Sequence, residues 1–220
     1  MRDIPPELHT IVTGVFSNPS LMVFLVFLLG LCVGSFLNVL IDRLPKGESI
    51  WFGRSRCDHC KKTLRWFELI PLLSYLLQGG RCLRCHKKLS LQYPVVELAT
   101  GVGFVLIGGQ AFDARQGLAL AIIFSCLLVI FVADLKYMII PDSMIVIGIL
   151  GVLLQGPALG DLQGRALSGM GASLFFLILF LITRGRGMGL GDVKLAFFVG
   201  LWLGFPRIVI AIYMAFLTGA

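Results

Sequence analysis

The stretch LMVFLVFLLGLCVGSFLNVLI, running from Leu21 to Ile41, decides the class of fold. It holds no Lys, Arg, Asp or Glu. A bilayer core of about 30 Å is crossed by about 20 apolar helical residues. The run lies well behind Met1-Arg2-Asp3-Ile4-Pro5-Pro6, is too long for the apolar core of a cleavable signal, and lacks a small-residue cleavage site. It reads as a retained first span, residues 21–42. Gly30, Gly34 and Ser35 within it allow close approach of a second helix. Asn38, near its end, is expected to find its partner on a neighbouring helix.

The rest of the chain has the same character. Of its 220 residues, 57% are hydrophobic and 14% charged, with mean hydropathy +0.92. Soluble domains are about 45–50% apolar and about 25% charged. Further apolar runs lie near 94–111, 117–134, 141–156, 166–183, 192–204 and 206–220. They are continuous and show no ten-residue alternation, which argues against an outer-membrane barrel. The expected fold is an all-α polytopic membrane protein of about seven transmembrane helices in contact with the lipid bilayer. Residues 1–20 are expected to form a periplasmic tail. No internal repeat or low-complexity segment is evident.

Residues 43–93 break the apolar pattern. They carry eleven Lys and Arg against three acids, a net of +8, and four of the six cysteines. The formal charge of the whole chain is +7. No basic amphipathic helix or nucleic-acid module accompanies it, so nucleic acid is not an expected partner. Lys and Arg concentrate on cytoplasmic loops, and this segment reads as a cytoplasmic insert between spans one and two. Within it, Leu69 to Leu77 is expected to form a short helix against a metal site or the membrane surface. Alternation along the spans then puts the loops near 135–140 and 184–191 on the cytoplasmic side. Fifteen of the 19 Lys and Arg fall on that side.

Cys57-x-x-Cys60 and Cys82-x-x-Cys85 are two metal knuckles separated by 21 residues. That spacing suits a tetrahedral Zn2+ site with four cysteine ligands, in a compartment where disulfides are disfavoured. Four thiolates leave no open coordination position, so the expected role is structural. A segment of this size has little core, and a metal would supply folding energy. His59 and His86 adjoin the knuckles and read as surface residues. Cys32 and Cys126 lie in spans and read as packing residues.

Gly187-Met188-Gly189-Leu190-Gly191-Asp192 sits between two apolar runs. An acid beside so much apolar sequence is costly and needs a reason. Gly187, Gly189 and Gly191 permit close backbone approach and φ > 0. Asp134 ends another span, and by the alternation above both acids lie at the cytoplasmic face. A lone acid at a helix end is by default an interfacial or capping carboxylate. Two at one depth, one of them introduced by a glycine element, read as a catalytic pair. Two carboxylates sharing a site cannot both ionise cheaply, so one holds a proton while the other activates water. Asp142, which follows Pro141 at the start of a span, suits a helix N-terminus.

These residues resemble the type IV prepilin peptidases, GxGD aspartic proteases of the bacterial inner membrane. The likeness covers most of the chain. It runs through Gly34-Ser35-Phe36-Leu37-Asn38-Val39 with Asp42-Arg43-Leu44-Pro45, then Arg54-Ser55-Arg56-Cys57. It continues through Pro71-Leu72-Leu73-Ser74-Tyr75, Gly80-Arg81-Cys82 and Tyr93-Pro94-Val95-Val96-Glu97. It ends on Asp134 with Pro141-Asp142, and on the glycine motif with Asp192. The resemblance implies cleavage of type IV prepilins or pseudopilins after the glycine that ends a short basic leader. It also implies N-methylation of the new terminus with S-adenosylmethionine, associated with the region 43–93, and a membrane peptidase domain over 94–220. By motif match Asp134 and Asp192 are the catalytic aspartates. Gly80, Tyr93 and Glu97 are candidates for the methyl-donor site; their alternatives are a turn, an interfacial aromatic and a capping acid. Preflagellin peptidases share the aspartate motifs but usually lack the cysteine domain. Family members commonly run on to about eight spans with a late Pro-Phe-Gly-Pro segment, which this sequence does not contain. Two other readings stand beside this one: a peptidase without methylation, and an ion-coupled transporter whose glycine element is an unwound helix.

Overall fold

A computed structural model describes residues 18–218 apart from 51, 58, 112, 157 and 158. Most of the tail expected over residues 1–20 therefore lies outside the described residues. Among the described residues the chain is helical, with no β-strand and two isolated β-bridges. It divides into two contact units. One comprises residues up to Leu40 together with Ser49–Ala111; the other comprises Ile41–Glu48 and the residues from 112 onward.

In the first unit, the apolar run at Leu21 becomes helix α1, Pro19–Arg43. Pro19 occupies the first turn, where its missing N–H costs nothing. The Asn18 side chain accepts from the N–H groups of Ser20 (3.2 Å) and Leu21 (3.4 Å), satisfying donors that a helix start leaves unpaired. A five-residue helix α2, Leu73–Leu77, follows Pro71 in the insert. Helix α3 is Gln92–Gln110.

Small residues bring α1 and α3 together. A Cβ added to Gly30 would fall 2.7 Å from the Gly101 Cα, and one on Gly34 would fall 2.7 Å from the Glu97 Cα. Further along, Asn38 Nδ2 donates to the Tyr93 carbonyl at 3.1 Å and Gln92 Nε2 donates to Asn38 Oδ1 at 3.3 Å. Rising numbers on α1 thus meet falling numbers on α3, and the helices are antiparallel. Asn38 is buried and satisfied by the neighbouring helix, as its position suggests.

The second unit holds α4 (Ala114–Tyr137), α5 (Asp142–Gln155), α6 (Leu159–Ile182), α7 (Leu190–Leu203) and α8 (Arg207–Thr218). Helix α4 packs on α5, α6 on α7, and α5 on α7. Its core includes Ile123, Val129, Val152 and Phe198, all buried. Gly148 on α5 makes room for the Phe198 ring on α7; a side chain there would overlap it. Gly200 and Gly169 do the same for α7 and α6, where an added Cβ would fall 2.7 Å from the opposing Cα.

All seven expected spans are helical, with ends within a few residues of expectation except at α6, which starts at Leu159. Length and hydropathy separate them. Pro19–Lys46, Ala114–Tyr137 and Asp161–Ile182 are long and apolar enough to cross a membrane. Gln92–Gln110, with 19 residues, is not among the helices both long and apolar enough to cross. Asp142–Gln155 and Leu190–Leu203 have 14 residues each and Arg207–Thr218 has 12. At about 1.5 Å per residue, 14 residues reach about 21 Å, short of a full crossing. The punctuation is local: α5 lies between Pro141 and the left-handed Gly156, and α7 between Gly189 and Gly204.

Candidate active site

The insert folds around its cysteines. The Sγ atoms of Cys57, Cys60, Cys82 and Cys85 all lie within 4.8 Å of one another, with Cys57 and Cys85 at 3.8 Å. Four sulfurs at about 2.3 Å from one ion sit about 3.8 Å apart, so the thiol cage fits a tetrahedral metal. Cys57 and Cys82 are buried, whereas His59 and His86 are exposed and stand outside the cluster.

The two knuckles share one backbone plan. Lys61 N–H donates to the Cys57 carbonyl at 2.9 Å, and His86 N–H donates to the Cys82 carbonyl at 2.9 Å. Cys57 N–H donates to Lys62 O and Cys82 N–H to Lys87 O, each at 3.0 Å. Lys61 and His86 both take positive φ, 56° and 55°, and the bridges Arg56–Thr63 and Arg81–Lys88 close the two turns. Sequence inspection missed this structural repeat, although Arg56-Cys57-x-x-Cys60-x-Lys62-x-Leu64 and Arg81-Cys82-x-x-Cys85-x-Lys87-x-Leu89 carry the same pattern; nine residues are too short a unit to stand out as a repeat. Backbone N–H groups of Cys85 and Arg84 bring the Cys82 thiol down to about 7, favouring the thiolate that binds metals. Burial pushes the Cys57 thiol up to about 11. A bound cation would offset that desolvation, since a coordinating thiol is deprotonated outright.

Three other residues of the first unit have structural partners. Gly80 takes φ 66°, and an added Cβ there would fall 2.9 Å from the Tyr75 hydroxyl. Tyr93 is half-buried and gives its carbonyl to Asn38. Glu97 is buried; its Oε2 accepts the Leu72 N–H at 2.8 Å and its carboxylate is also hydrogen-bonded by Ser35. Leu72 precedes α2, so Glu97 does the work of a capping acid from another helix.

In the second unit, Asp134 lies in the last turn of α4 and is exposed. Its carbonyl accepts the Met138 N–H at 2.8 Å, and Met138 turns left-handed (φ 54°) to end the helix. Asp192 is the third residue of α7 and is half-buried. Its Oδ2 accepts the Gly189 N–H at 2.9 Å, so the carboxylate closes the first turn of its own helix.

The turn after Asp134 reaches the glycine motif. Ile140 packs against Gly191, where an added Cβ would fall 3.1 Å from the Ile140 Cβ. Lys194 Nζ lies 2.8 Å from both oxygens of Asp142. The glycines work differently from expectation. None of Gly187, Gly189 and Gly191 takes positive φ; that backbone appears just upstream, at Arg184 and Gly185. Gly191 is needed for close approach. At Gly187 and Gly189 an added Cβ would meet only ordinary contacts, at 3.5 Å and 3.7 Å.

Sequence reading missed two ion pairs. Lys136 Nζ lies 2.6 Å from Asp42 Oδ1, which the Tyr137 hydroxyl also approaches at 3.1 Å. Lys194 pairs with Asp142 as above. The available signal was the repeated Asp-x-Lys spacing, Asp134-x-Lys136 and Asp192-x-Lys194. Asp142, expected at a helix N-terminus, begins α5 and also makes this pair.

A multi-helix membrane protein with a four-thiol cage and an acid on a glycine-led helix start is the class these features define. Comparison with known proteins narrows it. The Bacterial Peptidase A24 N-terminal domain model matches residues 28–110, and the Type IV leader peptidase family model matches 121–220. The chain is 38% identical to the prepilin leader peptidase/N-methyltransferase of Myxococcus xanthus (strain DK1622), over 96% of this chain and 64% of that protein. It is 36% identical to the protein of the same name from Bacillus subtilis (strain 168), over 90% of this chain and 81% of that one. For Stutzerimonas stutzeri the identity is 31%, over 93% and 81%. The chain thus spans just under two thirds of the Myxococcus relative and about four fifths of the other two. No solved structure matches. The chain belongs to the type IV leader peptidase family, among the prepilin leader peptidase/N-methyltransferases.

Proposed function

We propose that this chain works as its family does. It removes the basic leader of a type IV prepilin or pseudopilin after glycine, then N-methylates the new terminus with S-adenosylmethionine. Asp134 and Asp192 are the catalytic aspartates, supported by Gly187, Gly189 and Gly191. The protein spans the bacterial inner membrane with about seven helices, the shorter ones relying on local thinning of the bilayer and snorkelling of flanking residues. The cysteine insert and both aspartates face the cytoplasm.

The observation that carries this reading is the contact of Ile140 with Gly191. Ile140 follows Asp134 by six residues and Gly191 immediately precedes Asp192, so two segments far apart in sequence, one following the helix that carries Asp134 and one leading into Asp192, meet. In the reaction, the ionised aspartate takes a proton from water as its oxygen bonds to the scissile carbonyl carbon. The protonated aspartate gives its proton to the carbonyl oxygen, forming a neutral gem-diol. The C–N bond then breaks as the leaving nitrogen gains a proton, giving a carboxylic acid and a free amine. The amine is the group that is methylated.

Cys57, Cys60, Cys82 and Cys85 would hold Zn2+, which when bound cross-links the two knuckles. Gly80, Tyr93 and Glu97 stay the candidates around the methyl donor, with Glu97 acting through the turn it holds at Leu72. Purified protein incubated with a prepilin and labelled S-adenosylmethionine tests the proposal. Leader loss with label on the mature terminus is expected. Cleavage without label would leave a peptidase alone, and ion flux in vesicles without proteolysis would favour a transporter.

A further inference from the structure

The insert presents an apolar ridge that stands exposed among the described residues. Trp66 is 79% exposed, Leu76 73% and Leu77 78%, with Leu69, Ile70 and Leu73 exposed beside them. These six residues fall within 12 positions, across the 3-10 turn Trp66–Leu69 and helix α2. In water such a ridge is unfavourable and marks a contact surface.

Its depth is set by one hydrogen bond. The Leu72 N–H is held by Glu97 Oε2 at 2.8 Å. Glu97 lies five residues inside α3, about 7–8 Å along the helix from its start at Gln92. On α1, Glu97 faces Gly34, nine residues before the end of that helix at Arg43. The turn at Leu72 is therefore tied below the ends of both helices that flank the insert. Since α1 is long and apolar enough to span, this puts the ridge at the level where bilayer hydrocarbon meets headgroups. Arg54, Arg56, Arg65 and Arg81 of the same insert are all exposed. A large amphipathic aromatic with basic neighbours is the composition favoured at a membrane interface.

We propose that the segment Arg65–Leu77 is an interfacial element that inserts Trp66, Leu73, Leu76 and Leu77 into the membrane surface, its arginines engaging anionic phospholipid headgroups. The insert is thereby moored to the bilayer by lipid contact as well as by its two covalent connections. This rests on the membrane reading of α1 and not on the peptidase reading.

The test uses full-length protein with Trp51→Phe and Trp202→Phe, leaving Trp66 as the reporter. It is placed in nanodiscs of phosphatidylcholine, alone or mixed with phosphatidylglycerol. Bromine near the top of the acyl chains should quench Trp66 roughly twofold more than bromine at the chain ends, as an interfacial depth requires. Acrylamide should quench it weakly, and phosphatidylglycerol should strengthen the bromine effect unless Arg65 and Arg81 are changed to Glu. Free quenching by acrylamide without bromine quenching would overturn the proposal. Shielding from both quenchers would also overturn it, by showing that a second copy or another protein covers the ridge. If the double Phe variant fails to fold, the difference between the natural protein and Trp66→Phe gives the same reading.

Discussion

Lys194 holds Asp142 in a two-pronged ion pair, its Nζ 2.8 Å from each carboxylate oxygen. Lys194 lies two residues beyond Asp192, and Asp142 opens the helix that follows the Asp134 turn. The pair joins the two aspartate-bearing segments at their ends. Both side chains are exposed, and exposed pairs contribute only about 0–1 kcal/mol to stability. Its expected effect is on alignment. Lys194→Ala should lower kcat for leader cleavage about 10- to 100-fold, with KM and the melting temperature little changed. The swap Lys194→Asp with Asp142→Lys should restore much of the loss. A melting temperature that falls in step with activity would make the pair merely structural.

Gly191 and Ile140 form the other join. A methyl group at Gly191 would fall 3.1 Å from the Ile140 Cβ, so a larger side chain must displace the turn. Gly191→Val should reduce cleavage strongly, and Ile140→Ala should recover part of it. A coupling of about 0.5–3 kcal/mol between the two changes is the signature of contact. Strict additivity in a double-mutant cycle would deny it. Gly189→Ala, where an added Cβ meets only ordinary contacts, should be milder in its effect on folding.

The thiol cage predicts one metal per chain. Mass spectrometry under native conditions should find a single Zn2+, lost in Cys57→Ser or Cys82→Ser. Removing the metal with a chelator should loosen residues 55–64 and 80–89 in hydrogen exchange while helices α4 to α7 stay protected. Equal loosening throughout would contradict a role confined to the insert.

The contact between α1 and α3 is the most sensitive packing point in the first unit. Gly34→Leu forces a side chain into the Glu97 backbone, where even a Cβ would fall 2.7 Å from Cα. Overpacking of this kind costs about 1–3 kcal/mol. Thermal unfolding in detergent should show a drop for Gly34→Leu and none for Gly109→Leu, where an added Cβ meets nothing.

What the sequence disclosed depended on how local each signal was. Leu21–Ile41 declared a helix because 21 uncharged and almost wholly apolar residues admit little else. The four cysteines declared a metal cage because the spacing within each knuckle is short-range chemistry. Helix length was less visible: the run near 141–156 looks like a span, but Pro141 and Gly156 stop it at 14 residues. The glycine motif was half legible. Close approach at Gly191 was expected, whereas positive φ falls at Arg184 and Gly185, outside the motif. The pairs Lys136–Asp42 and Lys194–Asp142 join residues 94 and 52 positions apart, and no local pattern names such a partner. The stretch from Leu69 to Leu77 read as a short helix against a metal site or the membrane surface. Its tie to Glu97, 25 residues on, emerges only when α3 is folded against it.

The central claim is that Asp134 and Asp192 share one reaction. It is tested most directly by measuring prepilin leader cleavage with Asp134→Asn and Asp192→Asn, each purified in the same detergent with its metal content and melting temperature checked. Asn keeps the shape of Asp and removes its ability to hold or take the proton. Each variant should cleave at least about a thousandfold more slowly than the natural protein, and the double variant should be no worse than either alone. Cleavage at the natural rate by either well-folded variant would contradict the account.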